Sequence, residues 1–494
     1  LGPGQCAALH RALLLGCVNA SPYVATGGVF KNNTYNPGKE STYEFVEKML
    51  NEIMDLFPYE YVHIGGDECN KSQWKTDPDA QAKMKEEGLK NEEELQSYFI
   101  KSVEKIINAR GRKMIGWDEI LEGGLAPNAV VMSWRGEEGG IAAAKAGHEV
   151  IMTPSKYCYI DLKQGHDDLE PNLGYSQLLL STSYNYEVLP QSLSTEEQKY
   201  IKGIQANLWT ESIADWGKLT YMTFPRVYAI AENAWSLPEN KDWQNFSDRL
   251  LTKFSQLDAQ NIRYSNSAFS PWIRHRGLGN EIEYSLDTEV AGLDIYFTTD
   301  GTEPKLSSLK FEGLFTVDSS ATISAQAFRG NQPVGRTTQL RFVVHQAKGA
   351  KVMQKGSGQV DKYSNLSYSR LHPSDSNWVK TSEDVILEVD FGQAVELESL
   401  SFDALRYTIS GYYPPRKVQI FALDENGNEN LLAEKDYYED HLVQGRNKIQ
   451  SELNWPLQSL KKAKVYIYNY PELPAGQHRV GEASRLAIDE LIFN

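Results

Sequence analysis

The chain has 494 residues, too many for a single hydrophobic core, so about two to four domains are expected. Acidic residues number 66 against 50 basic ones, a net charge of −16 that would repel nucleic-acid phosphates and favours neutral or weakly charged ligands. No apolar run is long enough to span a bilayer. The cysteines Cys6, Cys17, Cys69 and Cys158 have no metal-ligand spacing, so unpaired, partly buried thiols are expected and neither a metal nor a cofactor.

The chain opens on Leu1-Gly2-Pro3-Gly4-Gln5, without a start methionine or a charged-then-apolar signal segment. A helix begins at Ser41-Thr42-Tyr43-Glu44. Thr42 is expected to cap it, and Phe45, Val46, Met49, Leu50, Ile53, Met54 and Leu56 form its apolar stripe until Pro58. Next comes Tyr61-Val62-His63-Ile64-Gly65-Gly66-Asp67-Glu68, a short buried strand that ends in two glycines and two adjacent carboxylates. Neighbouring carboxylates in a closed site push their pKa values apart, so one stays charged while the other keeps a proton. That division of labour suits acid-catalysed cleavage of a glycosidic bond. Residues 69–92, with the turn chemistry of Asp77-Pro78-Asp79, are expected to form a long loop over the site that carries Trp74.

Helix and strand then alternate. Glu93–Ala109 is helical, Lys113–Trp117 is a strand ending in Trp117-Asp118-Glu119, and Ala129–Trp134 is a strand ending in Trp134-Arg135. A small helix at 140–146 leads to a strand at 148–152, followed by Tyr157-Cys158-Tyr159-Ile160-Asp161. After a polar loop over 162–199, Lys202–Glu211 closes the series with Trp209-Thr210-Glu211, and helices follow at 217–235 and 240–258. Strand, loop and helix in regular turn predict parallel strands with right-handed crossovers, a (β/α)8-type TIM barrel. About five strand-helix units are present where a closed barrel has eight, so the barrel is expected to be N-terminally incomplete. Beyond 262 short strands and Gly/Asn/Asp turns replace helical periodicity. The expected domains are a partial barrel over 1–262, a small β-sandwich over 263–346 and a second β-sandwich over 347–494, with 346–357 as linker.

The octet with His63, Gly65, Gly66, Asp67 and Glu68 resembles the signature of the family 20 glycoside hydrolases, the β-N-acetylhexosaminidases. The opening residues resemble the family's Pro-Gly-His segment, with Gln5 where histidine is usual. The match is poor through Leu15 and recovers from Gly16 onward, through Gly27-Gly28-Val29-Phe30 and Asn36–Glu40, as a truncated chain, or one whose first residues come from a different reading frame, would show. The run Leu293–Pro304 resembles the small β-sandwich that follows the barrel in many bacterial hexosaminidases. Trp378, Leu387–Gly392 and Arg416–Phe421 resemble a discoidin-type or carbohydrate-binding module.

The resemblance implies an exo-acting, retaining enzyme that releases terminal β-linked GlcNAc or GalNAc from glycans. The substrate's own 2-acetamido oxygen is then the nucleophile. It implies Glu68 as general acid and base, Asp67 as the charged partner of the acetamide N–H, and Tyr159 as donor to the acetamide oxygen. Trp117, Trp134 and Trp209 would wall the sugar and acetamide pocket, and Asp161 and Glu211 would bind sugar hydroxyls. His63 is expected behind the carboxylate pair. Asp118, Glu119 and Arg135 could touch the site, but nothing in the sequence forces that. The family's substrate-binding arginine at the end of the first barrel strand would lie before residue 1; the missing N-terminal part of the barrel leaves a non-catalytic sugar-binding remnant as the alternative, and the long loops leave room for a lacto-N-biosidase-like relative. The resemblance also implies glycan contact by the C-terminal modules and a periplasmic, surface-associated or secreted bacterial setting.

Overall fold

The computed structural model describes residues 34–494 apart from 167–168, 171–175, 279–280, 367–368, 370–374 and 478. The expectations for Cys6, Cys17, Gln5 and the segment through Phe30 therefore lie outside the described residues. Contacts divide the chain into two units, one of residues 1–162 and 175–265, the other of residues 163–174 and 266–494.

In the first unit, strands β1 (Tyr61–His63), β2 (Lys113–Trp117), β3 (Val130–Ser133), β4 (Val150–Met152) and β5 (Ile201–Ile204) form a sheet in that order. Every neighbouring pair is parallel, with Val62 opposite Met114, Trp117 opposite Met132 and Ser133 opposite Met152. A parallel sheet whose strand order follows chain order is the arc of a β/α barrel, with all C-terminal strand ends on one rim. Ladder bonds outlast the strand core of β1: Gly65 O still accepts from Trp117 N at 2.9 Å.

Helices cover the sheet because their apolar stripes match its outer face. Val46, Leu50 and Met54 of helix Glu40–Leu56 join Ile100, Val103 and Ile107 of helix Glu92–Ala109 over Val62, Met114, Val131 and Val150. Thr42 does not cap the first helix. It stands inside the first turn, and its hydroxyl donates to Asn36 O at 2.8 Å.

The stretch 69–92 is not one long loop. Asp77 accepts from the N–H groups of Asp79 and Ala80, Pro78 takes the first helical position, and helix Pro78–Glu86 follows. The same Asp-Pro chemistry that makes a turn also starts a helix when the residues after it propagate one. Trp74 is buried with Ala80, Met84 and Leu95, its indole donating to Tyr35 O at 3.0 Å. Within 162–199, short helices occupy Leu180–Tyr184 and Thr195–Gln198, the latter with a Ser194/Glu197 capping box. The expected helix 217–235 is two helices, Trp216–Thr223 and Arg226–Trp235, since Pro225 has no N–H to continue the ladder.

The second unit is β-rich. Strands β6 (Trp272–Leu278), β7 (Glu281–Asp287) and β10 (Phe315–Val317) form one antiparallel sheet. Strands β8 (Asp294–Thr298), β9 (Leu309–Lys310), β11 (Ala321–Arg329) and β12 (Gln332–Phe342) form another. Between them Phe315 stacks on Phe297 at 4.3 Å and on Tyr284 at 5.3 Å.

The remaining strands, β13 (Lys351–Gln354), β14 (Gly358–Gln359), β15 (Val379–Thr381), β16 (Val385–Tyr407), β17 (Lys417–Leu423), β18 (Glu429–Asp436), β19 (Arg446–Tyr468), β20 (Leu486–Ile488) and β21 (Ile492–Phe493), build one antiparallel system. It is dominated by the 23-residue pair β16 and β19. Asp390-Phe391-Gly392, whose glycine would suit a turn, forms a bulge inside β16: the ladder shifts register there, and Gly392 N donates to Asp390 at 2.9 Å. The expected linker contains β13, whose Val352 pairs with Val389.

Candidate active site

The site lies on the C-terminal rim of β1–β5. After β1 the backbone bends through Gly65 and Gly66, with φ of 82° and 101°, and Glu68 itself takes φ 47°. A non-glycine residue in the left-handed region is strained, and such strain concentrates where a side chain must be aimed. Gln96, from helix Glu92–Ala109, holds the bend by donating to Gly66 O at 3.0 Å. Behind it, His63 Nδ1 accepts from Gly65 N at 3.1 Å, and the ring meets Trp117 edge-on at 4.8 Å. Burial drives His63 down to about 3, so it stays neutral and acts as a spacer and not as a proton carrier.

The two carboxylates occupy different environments. Burial pushes Asp67 up to about 6, and the neighbouring Glu68 charge adds in the same direction. Glu68 is exposed and lines a cavity of about 240 Å³ together with Gln96, Glu119, Trp134 and Arg135. Beside it, burial pushes the Cys69 thiol up to about 12, so this free cysteine is unreactive near neutral pH.

An aromatic wall runs along the rim from strand end to strand end. Trp117 meets Trp209 at 6.0 Å, Trp209 meets Tyr159 edge-on at 5.9 Å, and Tyr159 stacks on Trp134 at 6.1 Å and 16°. The end of β2 and three separate loops supply these rings. Tyr159 does not directly end β4: a short helix, Ser155–Cys158, intervenes, and Tyr159 bridges in parallel to Asn207 beyond β5. Ile160 N donates to Asn207 O and Asn207 N to Cys158 O, at 2.8 and 2.9 Å, which ties the Tyr159 and Trp209 loops together. The Tyr159 phenol is pushed up by burial, partly offset by hydrogen bonding to Asn207 and Trp209, while Asp161 and Asp67 add to the rise. The charge on Asp67 is therefore felt at the Tyr159 hydroxyl.

The structure thus brings Asp67, Tyr159, Asp161, Trp117, Trp134 and Trp209 into one electrostatic and aromatic neighbourhood, with Glu68 opening beside it. Glu211, two residues past Trp209, is exposed and makes no hydrogen bond or ion pair among the described residues. One group the sequence left open and one it missed complete the surroundings. Glu119 accepts the Trp134 indole N–H with both oxygens, at 2.9 and 3.2 Å. Arg226, fully buried, donates to Ile160 O at 2.5 Å and also to Met222 O and Leu178 O, which pins the segment between Tyr159 and Asp161. The doublet Asp118-Glu119 at a strand end was the one available signal for the first. A buried arginine clamping carbonyls has none.

Residues 4–238 match the model of "Glycosyl hydrolase family 20, catalytic domain", and residues 278–339 that of "Chitobiase/beta-hexosaminidase C-terminal domain". The chain is similar to a beta-hexosaminidase of Porphyromonas gingivalis, 41% identical over 288 residues that make up 57% of this chain and 37% of the relative. It is similar to a beta-hexosaminidase of Vibrio furnissii, 33% identical over 205 residues, 41% of this chain and 34% of the relative. A solved structure of a GH20 exo beta-N-acetylglucosaminidase of Vibrio harveyi in complex with N-acetylglucosamine is 33% identical, covering 49% of this chain and 39% of that one, with a TM-score of 0.47. The chain spans a little over one third of the length of its Porphyromonas relative.

Proposed function

We propose, from the match of residues 4–238 to the catalytic domain of glycosyl hydrolase family 20 and of residues 278–339 to the chitobiase-type C-terminal domain, that this chain acts on glycans as a retaining exo-β-N-acetylhexosaminidase. It removes terminal β-linked GlcNAc or GalNAc, with the substrate's own acetamide oxygen as nucleophile. Holding that oxygen on the substrate beside the anomeric carbon gains the rate advantage of an intramolecular attack.

Glu68 protonates the glycosidic oxygen while the acetamide oxygen bonds to the anomeric carbon, so that the aglycone leaves and an oxazolinium-type ring forms; the resulting carboxylate then takes a proton from the water that opens this ring. Asp67 accepts from the acetamide N–H and offsets the positive charge that develops on it. Tyr159 donates to the acetamide oxygen, and its raised pKa keeps the proton on the phenol for that purpose. Trp117, Trp134 and Trp209 enclose the apolar face of the sugar, and Asp161 and Glu211 take its hydroxyls. Glycan contact by residues 347–494 follows from their resemblance to discoidin-type modules.

The observation that carries this reading is the pairing of Asp67, half-ionised near pH 6, with a Tyr159 phenol set between two tryptophans. Glu68→Gln tests it. The purified chain should hydrolyse p-nitrophenyl N-acetylglucosaminide, and the variant should lose turnover on sugars with poor leaving groups while still binding them. A variant at full rate removes Glu68 from the acid role. Binding without hydrolysis by the unaltered chain replaces catalysis with sugar recognition.

A further inference from the structure

We propose that Glu119 is a positioning residue, which sets the orientation of the Trp134 indole and through it the shape of the acetamide pocket. This inference rests on the reading of Trp134 as a wall of that pocket.

Trp134 leaves the end of β3 with one ring face against Tyr159, in a cluster that also holds Trp209. Stacking alone leaves the indole free to slide in its own plane. The single N–H is what removes that freedom, and it is shared between both oxygens of one carboxylate, at 2.9 and 3.2 Å. A charged acceptor makes this bond roughly twice as strong as a neutral one.

The surroundings show that the carboxylate is held there at a cost. Glu119 is 5% exposed and its neighbour Asp118 2%. Arg135 faces both, yet its Nε sits 2.8 Å from Asp118 and 3.8 Å from Glu119, while its Nη1 serves Glu122 at 2.9 Å. Lys71, the other cation of the cavity, also turns to Glu122, at 3.4 Å. Glu68 and Cys69 complete the titratable groups that line it. Three carboxylates thus compete for two cations; Glu119, hydrogen-bonded to Asp118 and 3.8 Å from Arg135, turns both of its oxygens to the indole.

Burial pushes Glu119 up to about 7; Asp118 adds to the rise, and the Trp134 bond opposes it. The charge is present above that pH and is lost as pH falls through it. Below it the Trp134 bond becomes a neutral one. The acid side of the activity profile then contains two ionisations, that of Asp67 near 6 and that of Glu119 near 7.

The full chain carries the test, with two readouts. The first is the tryptophan fluorescence of the unaltered chain minus that of Trp134→Phe, followed from pH 5 to 9; it needs no turnover. A midpoint near 7 that disappears in Glu119→Gln is expected, and a flat difference signal overturns the inference. The second is the kcat/KM profile. Glu119→Gln should lose the ionisation near 7, with a fall on the order of 10- to 100-fold at pH 8, since a misplacement of about 1 Å at a site costs ~100-fold. Glu119→Asp, which keeps the charge, should restore the limb. Unchanged profiles and fluorescence in Glu119→Gln, alongside loss of turnover in Glu68→Gln, would overturn the role of Glu119 and leave the proposed reaction standing. Absence of turnover in the unaltered chain counts against the reaction, and the fluorescence titration then decides the contact by itself.

Discussion

Replacing Gly66 by alanine puts a number on the bend that aims the two carboxylates. Gly66 has φ 101°, a conformation in which an L-residue is strained by ~1–3 kcal/mol. Its added Cβ would also lie 2.8 Å from Ile120 Cγ2. Ile120 is 1% exposed and has no open space to retreat into, so it must drag the Asp118–Leu121 turn with it, an overpacking cost of ~1–3 kcal/mol. The sum is on the order of 2–6 kcal/mol against the ~5–15 kcal/mol that holds a domain together. Two controls separate the contributions. Gly88→Ala has φ 67° and no atom within 4 Å, so it carries strain alone. Gly116→Ala has no positive φ, and its Cβ would lie 2.7 Å from Ile120 Cγ2, so it carries crowding alone. Urea unfolding followed by tryptophan fluorescence, with the same transition compared at constant slope, reads all three. Gly66→Ala should shift the midpoint by about the sum of the controls. Hydrolysis should fall in Gly66→Ala and Gly116→Ala, whose clash displaces the Glu119 turn, and hold in Gly88→Ala. If Gly66→Ala is no less stable than Gly88→Ala, Ile120 yields freely and the close contact does not constrain the site.

The remaining predictions concern the chemistry. Since Asp67 is raised to about 6, its charge is present above that pH and lost below it, so kcat/KM should fall as pH drops through about 6. An ordinary aspartate would keep the rate down to about 4; a limb found there means that Asp67 is not the charged partner. Asp67→Asn should abolish this limb and lower kcat at every pH. Tyr159→Phe should lower kcat on the order of 100-fold with little change in KM, because the bond it loses strengthens only in the transition state. An unchanged kcat removes Tyr159 from the mechanism.

Much of the first unit was legible along the chain because its cues are local. Apolar stripes and caps mark helices Glu40–Leu56 and Glu92–Ala109, and β-favouring runs end at glycines and aromatics. The misreadings were failures of the same local rules. Asp77-Pro78 is equally good at closing a turn and at starting a helix, and the helix-forming residues from Asp79 to Glu86 tip it to the second. The bulge at Asp390–Gly392 looks like a turn because both need a glycine at positive φ; only the partner strand β19 shows that the ladder resumes beyond it.

By itself the sequence determined which residues stand at strand ends: the carboxylate pair after β1 and the aromatic residues after β2, β3, β4 and β5. Strand ends are set by short-range periodicity and turn residues, and a parallel arc places all of them on one rim. The tertiary structure alone decided what those residues experience. The pKa of Asp67 depends on its burial in the folded chain. The set of Trp134 depends on Glu119, 15 residues earlier, and the Tyr159–Asp161 segment on Arg226, 66 residues beyond Ile160. Desolvation and hydrogen-bond partnership are properties of enclosed space and not of spacing along the chain. They become definite only when strands, loops and helices meet.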